Sequence, residues 1–225
     1  NKVSIDGLLI ANEFFDSLPT ERFKFDNNTF LMSYISESDG NLKEVWDSIT
    51  DEQNDELEIA VGKKNKSFPN NYISELNMEY KKWIQNISKS INNGIIMIID
   101  YGYNRQEYFL DDRMEGTLVC INNHQSHFEP LKNIGNQDIS SFVNFSHLST
   151  LAEKNGLSID GYLSQSSFLL NLGILEIFES KEYRSGEKVD ELNKLKNILL
   201  PNTMGEIFKI LVLTKNINRK LLSTK

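Results

Sequence analysis

Three short stretches of this sequence bring together side chains that could do chemistry. The first is Asp100-Tyr101-Gly102, directly after Ile95-Ile96-Met97-Ile98-Ile99. Five consecutive apolar residues, four of them β-branched, predict a strand covered on both faces, as in a parallel sheet. Ligands in open α/β sheets sit outside the carboxyl ends of the strands, so Asp100 and Tyr101 fall where a site is expected. The blander reading, that Asp100 only accepts hydrogen bonds from loop backbone, is the one spacing alone favours. The second stretch is Asn12-Glu13, which follows the apolar run Leu8 to Ala11 and sits at the same edge. It reads equally well as the cap of a helical turn. The third is His124, His127 and Glu129, residue types that ligate metals. No further spaced His or Cys accompanies them, so a loop with hydrogen-bonding histidines is the preferred reading and no metal is expected.

The elements that must position these groups follow from period and punctuation. Leu76, Tyr80, Trp83, Ile84, Ile87 and Ile91 recur at helical spacing, and Asn92-Asn93-Gly94 stops the run. A helix from about 72 to 92, a glycine, and then a buried strand make half of a βαβ unit. Upstream, Phe23 and Phe25 alternate with charges, and Asp26-Asn27-Asn28 is turn chemistry, which predicts a β-hairpin over 21–35. Residues 36–54 read as loop, 57–61 as a short strand, and 62–66 as a solvated basic loop. Further on, 117–121, 157–163 and 207–213 read as strands. Ser146 caps a helix carrying Leu148, Leu151 and Ala152, which ends at Gly156. Gln165 opens another helix that stops at Gly173, and 174–182 and 187–199 are helical by period.

Composition bounds the class. With 225 residues, 39% hydrophobic and 25% charged, the chain has the material for one ordinary folded domain. A net charge of -8 argues against a broad nucleic-acid footprint. The single Cys120 cannot form an internal disulfide, which fits a reducing compartment. No apolar run approaches the roughly 20 residues that span a bilayer, and no signal peptide is recognisable. Ile5 to Ala11 reads as a buried core strand, and a chain that opens almost at once on such a strand reads as a piece cut from something longer.

Several stretches in order resemble one family. They are Ala11-Asn12-Glu13-Phe14-Phe15-Asp16-Ser17-Leu18-Pro19, Ser74-Glu75-Leu76-Asn77, Ile99-Asp100-Tyr101-Gly102 and Gly116-Thr117-Leu118 with His124 and His127. Gln137-Asp138-Ile139 with Val143 and Phe145, Gly161-Tyr162 with Gln165, Leu172-Gly173-Ile174, and Met204-Gly205-Glu206-Ile207-Phe208-Lys209 complete the set. Their order and spacing resemble the MidA-type family of S-adenosylmethionine-dependent methyltransferases. Its mitochondrial members are complex I assembly factors described as protein arginine methyltransferases.

The resemblance implies an α/β fold, a Rossmann-like class I methyltransferase of which this is the C-terminal half of the sheet. Insertions are expected at about 20–70 and 103–145. It implies S-adenosylmethionine as cofactor and S-adenosylhomocysteine as product. The family's Gly-rich loop and ribose-binding acid are not found in these residues, so the chain alone is expected to bind cofactor weakly and to be inactive. Catalytic roles fall on Glu13 and Glu75 as carboxylates for an arginine acceptor, with Asp100 behind them and His127 as proton relay. Cofactor contacts fall on Asn12, Tyr101, Gln137 and Asp138. Phe142 and Asn144 stand where the family tends to have His and Asp, and Ser140 where Thr is usual. The implied partner is a protein substrate, with a homodimer as a further expectation. The implied location is the bacterial cytoplasm, or the mitochondrial matrix in a eukaryote. Two other functions stay open: a non-catalytic docking module in respiratory-complex assembly, and a small-molecule methyltransferase.

Overall fold

The β-branched run at 95–99 forms the middle of the longest strand, and the rest of the main sheet is built around it. The computed structural model describes residues 4–62, 67–123, 125–184, 186–217 and residue 222. In chain order the elements begin with β1 (Ile5–Asn12), β2 (Glu21–Asp26), β3 (Thr29–Ser38), β4 (Asn41–Ser48), α1 (Asp51–Val61), β5 (Tyr72–Leu76) and α2 (Glu79–Ser90). Next come β6 (Ile91–Tyr103), α3 (Arg105–Tyr108), β7 (Val119–Asn122), β8 (Gln125–His127), β9 (Asp138–Ser140), β10 (Val143–Asn144) and α4 (Phe145–Lys154). The last are β11 (Ser158–Ser164), α5 (Gln165–Asn171), α6 (Ile174–Ser180), α7 (Glu187–Leu199), α8 (Met204–Ile207) and β12 (Phe208–Lys215).

The main sheet runs β1-β6-β12-β11, with β10 added to the end of β6. β1 and β10 lie parallel to β6, whereas β12 is antiparallel to both β6 and β11. Gly102 is needed where β10 joins, because a Cβ there would sit 2.1 Å from the Val143 carbonyl oxygen. One face of β6 presents Ile96 and Ile98, both fully buried against α2 and α4 through Tyr80, Ile84, Leu148 and Leu151. The expectation of two covered faces holds only in part. Ile95, Met97 and Ile99 on the other side are half-buried, under Phe168 of α5 and its neighbours. β1 is a sharper correction. Leu8 and Ile10 are 53% and 57% exposed and only Ala11 is buried, because β1 is the edge strand and no described element lies over its outer face.

A second sheet, β4-β3-β2-β5, carries the aromatic core of Phe23, Phe25, Phe68, Tyr72 and Phe109. The predicted hairpin is present, its turn made by Asn27 and Asn28 at φ 47° and 60°, the left-handed pair a two-residue hairpin favours. Three other expectations change. Residues 36–54 are not loop but extend β3, form β4 and enter the first turn of α1. Residues 57–61 are helical, not a strand, because Thr50 and Gln53 form a capping box that starts α1 upstream. The expected single helix from 72 divides into β5 and α2, since Tyr72 to Leu76 are held by backbone pairing to β2. The basic loop 63–66 lies outside the described residues.

A small third sheet, β8-β7-β9, carries the segment 119–140. Between the two larger sheets, the buried His147 of α4 meets Glu56 of α1 at 2.7 Å. Burial holds the His147 ring below the usual imidazole range, against the pull of Glu56. Arg105 adds bonds to the Ala60 and Ile59 carbonyls at the end of α1. These contacts fix the hairpin sheet against the main sheet.

Candidate functional site

The carboxyl ends of β1 and β6 lie side by side, which brings Asn12, Glu13, Asp16, Asp100 and Tyr101 into one neighbourhood. β1 ends at Asn12, and the Glu13 N–H donates to the Ile99 carbonyl at 2.9 Å. Glu13 then turns at φ 47°, a left-handed conformation that side-chain-bearing residues other than Asn and Asp seldom adopt. Its side chain is exposed, and its Oε1 accepts from Asn12 Nδ2 at 3.3 Å. Strain of this kind concentrates at functional turns. Here it aims a free carboxylate away from a pinned backbone.

Asp100 faces inward. Its Oδ2 accepts from the Phe15 and Asp16 N–H groups at 3.0 and 3.3 Å, and its Oδ1 from the Tyr101 N–H at 3.0 Å. The residue is fully buried and its pKa is pushed up to about 7, first by desolvation and then by the neighbouring Asp16, against the pull of those N–H donors. Asp100 thus does what the blander reading held, shaping the 13–16 turn, while sitting close to its own titration point at neutral pH.

Asp16 is the residue that sequence reasoning did not single out, although it lies in the quoted Asn12–Pro19 stretch. It is 5% exposed. Its Oδ2 accepts a short hydrogen bond from the Tyr101 hydroxyl, while its Oδ1 is buried with no protein donor. The signal was present as an acid four residues past the end of β1, but two phenylalanines between it and Glu13 made it look like turn punctuation. The Asp16 carbonyl accepts from the Ser141 N–H at 3.2 Å, so the segment after β9 closes on the same cluster. Tyr101 packs edge-on against Phe142 and Phe208, and burial and Asp16 raise its hydroxyl above the ordinary phenol range. Phe142 is therefore a wall of this cluster.

Glu75 requires a correction. Its carboxylate is buried and turned away from solvent, and its oxygens accept from the Thr117 N–H and hydroxyl, the Leu118 N–H and the Tyr108 hydroxyl. Burial raises its pKa against these donors. Gly116 sits at φ +76°, and a Cβ there would come within 2.2 Å of Glu75 Oε1. With its acceptor positions taken, Glu75 holds the 116–118 turn and is not placed to grip an acceptor. That turn forms part of a groove of about 480 Å³ lined by Arg22, Arg113, Met114, Leu118 and Phe128, and Glu75 lies behind the lining.

The other expected residues lie on the third sheet. His127 is opposite Cys120 in the β7–β8 ladder, its Nδ1 accepts from the Glu129 N–H at 3.2 Å, and its Nε2 is buried without a partner. None of its hydrogen bonds reaches the Asp16–Asp100 cluster, so a relay through it has no visible path. Gln137 donates to the Pro130 carbonyl at 2.8 Å, and Asp138 is exposed at the start of β9. His124 lies outside the described residues. Among the described residues no group of three or more His, Cys, Asp or Glu is arranged to hold a metal.

Comparison with known proteins places this geometry in a context. Residues 1–163 match the model of a family described as "Putative S-adenosyl-L-methionine-dependent methyltransferase". The chain is 26% identical over 214 residues to the zebrafish (Danio rerio) protein named protein arginine methyltransferase NDUFAF7, mitochondrial, which covers 90% of the chain and 46% of that protein. Two solved structures from Burkholderia thailandensis share the fold at 24% identity. One is bound to S-adenosyl-homocysteine, with a TM-score of 0.87 over 98% of this chain and 56% of the other. The second, a native form, has a TM-score of 0.88 over 98% and 58%. The chain thus spans about half the length of these relatives. Since the family match covers well over half of the 225 residues, the chain belongs to the S-adenosyl-L-methionine-dependent methyltransferase family so described.

Proposed function

We propose that this chain is the acceptor-side part of a methyltransferase that uses S-adenosylmethionine to methylate an arginine side chain of a protein. The observation that carries the reading is the polar cluster at the carboxyl ends of β1 and β6. An exposed, conformationally strained Glu13 stands beside a buried carboxyl pair, Asp16 and Asp100. The arginine substrate draws support from the name of the zebrafish relative and from the chemistry of the cluster. A guanidinium is a planar cation that carboxylates orient through charge-assisted hydrogen bonds.

The cluster also fits the cofactor it would serve. Asp16 Oδ1 lacks a donor, and the exposed Asn12 amide borders the same strand end. Asn12 and Tyr101 are the cofactor contacts we propose from this chain, the latter through its ring, because its hydroxyl is engaged by Asp16. S-adenosylmethionine, when bound, supplies a methyl group that leaves a sulfonium with the bonding electron pair retained by sulfur. The chain's own residues do the positioning. Glu13 Oε1 or Oε2 accepts an N–H of the guanidinium and holds the nitrogen lone pair in line. Asp16 Oδ1, the buried carboxylate oxygen of the cluster without a donor, would take a second N–H, or the proton that the nitrogen sheds after the new N–C bond forms. Gln137 and Asp138 sit on the sheet that leads into Ser140 and Ser141, and any cofactor role for them runs through that segment. The reading includes that the 225 residues alone bind S-adenosylmethionine weakly, because they contain no Gly-rich strand–loop–helix to hold its amino-acid and ribose ends.

The test is Glu13→Gln in a protein that carries the complete cofactor site, with transfer of labelled methyl to protein arginine as the readout. A charge-assisted bond is worth about 1.5–3 kcal/mol against about 1 for a neutral one, so transfer should fall on the order of tenfold with cofactor affinity unchanged. Full activity in the variant would remove Glu13 from the mechanism. Methyl transfer to a small molecule and not to protein would overturn the substrate.

A further inference from the structure

Phe128 is the most exposed large apolar side chain among the described residues, at 78%, and it borders two grooves. One is the groove of about 480 Å³ that contains Gly116 and Leu118, with Met114 as further apolar lining. The other, of about 610 Å³, is lined by Ile35 of β3, Glu44 of β4, and Pro130 and Leu131 after β8. Arg22 and Phe128 belong to the walls of both, so the two join into one channel past these side chains.

The channel holds polar groups that the fold leaves unmet. Both Glu44 oxygens accept from Arg22 Nη1 at 2.8 Å, but the buried Arg22 Nε–H has no acceptor. His127, one residue before Phe128, carries a second such donor. Its Nδ1 accepts from the Glu129 N–H, so the proton sits on Nε2, which is buried without a partner. Buried N–H groups without acceptors are costly unless a ligand supplies the oxygen. The cations of the lining are all engaged: Arg22 by Glu44, Lys132 by Glu129, and Arg113 by the Glu107 and Tyr108 carbonyls and the Tyr103 ring. Two anions are not. Asp112 and Glu115 are exposed in the lining, and their carboxylates pair with no described residue.

We propose that this channel docks an extended peptide of the protein substrate, with an apolar side chain against Phe128 and a basic residue at Asp112 and Glu115. A ligand carboxylate would meet repulsion from Glu44, Asp112 and Glu115, so the acceptor that fits Arg22 Nε is a neutral main-chain carbonyl. The two unpaired carboxylates ask for cations, and Phe128, Leu118 and Ile35 ask for apolar side chains. The proposal rests on the arginine reading above and adds to it the recognition of the residues around that arginine. The acidic groove is also the one that leads to the cluster. Thr117, between Gly116 and Leu118, accepts at Oγ1 from the Phe142 N–H at 3.1 Å. The Phe142 ring packs on Tyr101, whose hydroxyl bonds to Asp16. A peptide lying in the channel therefore has its cationic end on the side nearer to Glu13 and Asp16.

The experiment is fluorescence anisotropy on the 225-residue chain with two short labelled peptides, one of alternating leucine and arginine, the other with glutamate for each arginine. The parent should bind the basic peptide and not the acidic one. Phe128→Ser should weaken binding about tenfold, as loss of an aromatic anchor does. Asp112→Lys combined with Glu115→Lys should reverse the preference toward the acidic peptide. All three side chains are exposed, so the melting curves should match the parent. Glu182→Lys combined with Asp190→Lys makes the same change of charge outside the channel and should leave the preference as it was. Equal binding by the parent and Phe128→Ser overturns the proposal, as does equal loss from the two pairs of charge changes. In a protein with the complete cofactor site, Phe128→Ser should raise the peptide KM and keep kcat, and an unchanged KM also overturns it. Channel-dependent binding with no methyl transfer to arginine would instead remove the reading of the reaction and leave the channel standing.

Discussion

Removing one charge from the buried carboxyl pair should change how the other titrates. Asp100 is 0% exposed and its pKa stands at about 7 against an ordinary 3.8. That displacement of about 3 units corresponds to about 4 kcal/mol at about 1.36 per unit. The folded value is raised, so the native state holds a proton that the unfolded chain has already lost between pH 3.8 and about 7. Stability is therefore fully retained below the unfolded value and falls as pH rises through the folded one. Asp16→Asn is the informative perturbation. An asparagine oxygen can still accept from the Tyr101 hydroxyl, and its amide takes the place of the donor-less Oδ1. What disappears is the like charge beside Asp100. At an effective dielectric of about 20, neighbouring like charges cost on the order of 1–3 kcal/mol, or about one to two pH units. The Asp100 carboxyl, followed by carbon-13 NMR, should titrate lower in the variant by about that amount. In urea unfolding across pH the variant should keep more of its stability near neutrality. Glu75, also raised by burial, adds a slope of the same sign, so the difference between the two proteins is the quantity to read. Superimposable Asp100 titrations would show that burial alone sets the value and that Asp16 is electrostatically silent.

The Glu75 loop gives two linked predictions. Glu75→Gln presents an amide donor to at least one of the Thr117 and Leu118 N–H groups and should destabilise the protein by about 2 kcal/mol or more in urea unfolding, with no pH dependence of its own. Gly116→Ala should cost more than about 1 kcal/mol, from the left-handed backbone and the crowding of Glu75 Oε1. The double variant should cost less than the sum, and strict additivity would show that the two do not share the contact. Glu13→Gln, by contrast, should leave the melting temperature unchanged, because its side chain is exposed and bonds only to Asn12. Loss of the fold in that variant would make the Asn12-Glu13 turn a structural cap.

What the sequence disclosed and what it hid divide along a physical line. The β6 run was legible because five apolar residues in a row leave no helical face to satisfy. The Asn27-Asn28 turn was legible because two adjacent asparagines tolerate positive φ. Both are local signals. β5 was hidden because Tyr72 to Leu76 continue the helical period of α2, and only pairing with β2, some fifty residues away, decides for strand. α1 was hidden because its buried residues, Glu56, Leu57, Ala60 and Val61, include an acid that is satisfied only by His147 on another element. The carboxylates make the same point for function. Glu13, Asp16, Glu75 and Asp100 are one residue type in similar settings of sequence, each near a strand end. Their roles separate only when their donors are assigned. Glu75 and Asp100 have backbone N–H groups on both oxygens and are spoken for. Asp16 has one oxygen engaged by Tyr101 and one with no donor, and Glu13 bonds only to its neighbour's amide. A carboxylate that organises a loop and one that can meet a ligand differ in what remains unsatisfied, and that property belongs to the fold. By this criterion the proposed acceptors for a cationic nitrogen are Asp16 and Glu13, both in the turn that follows β1, and not Glu75.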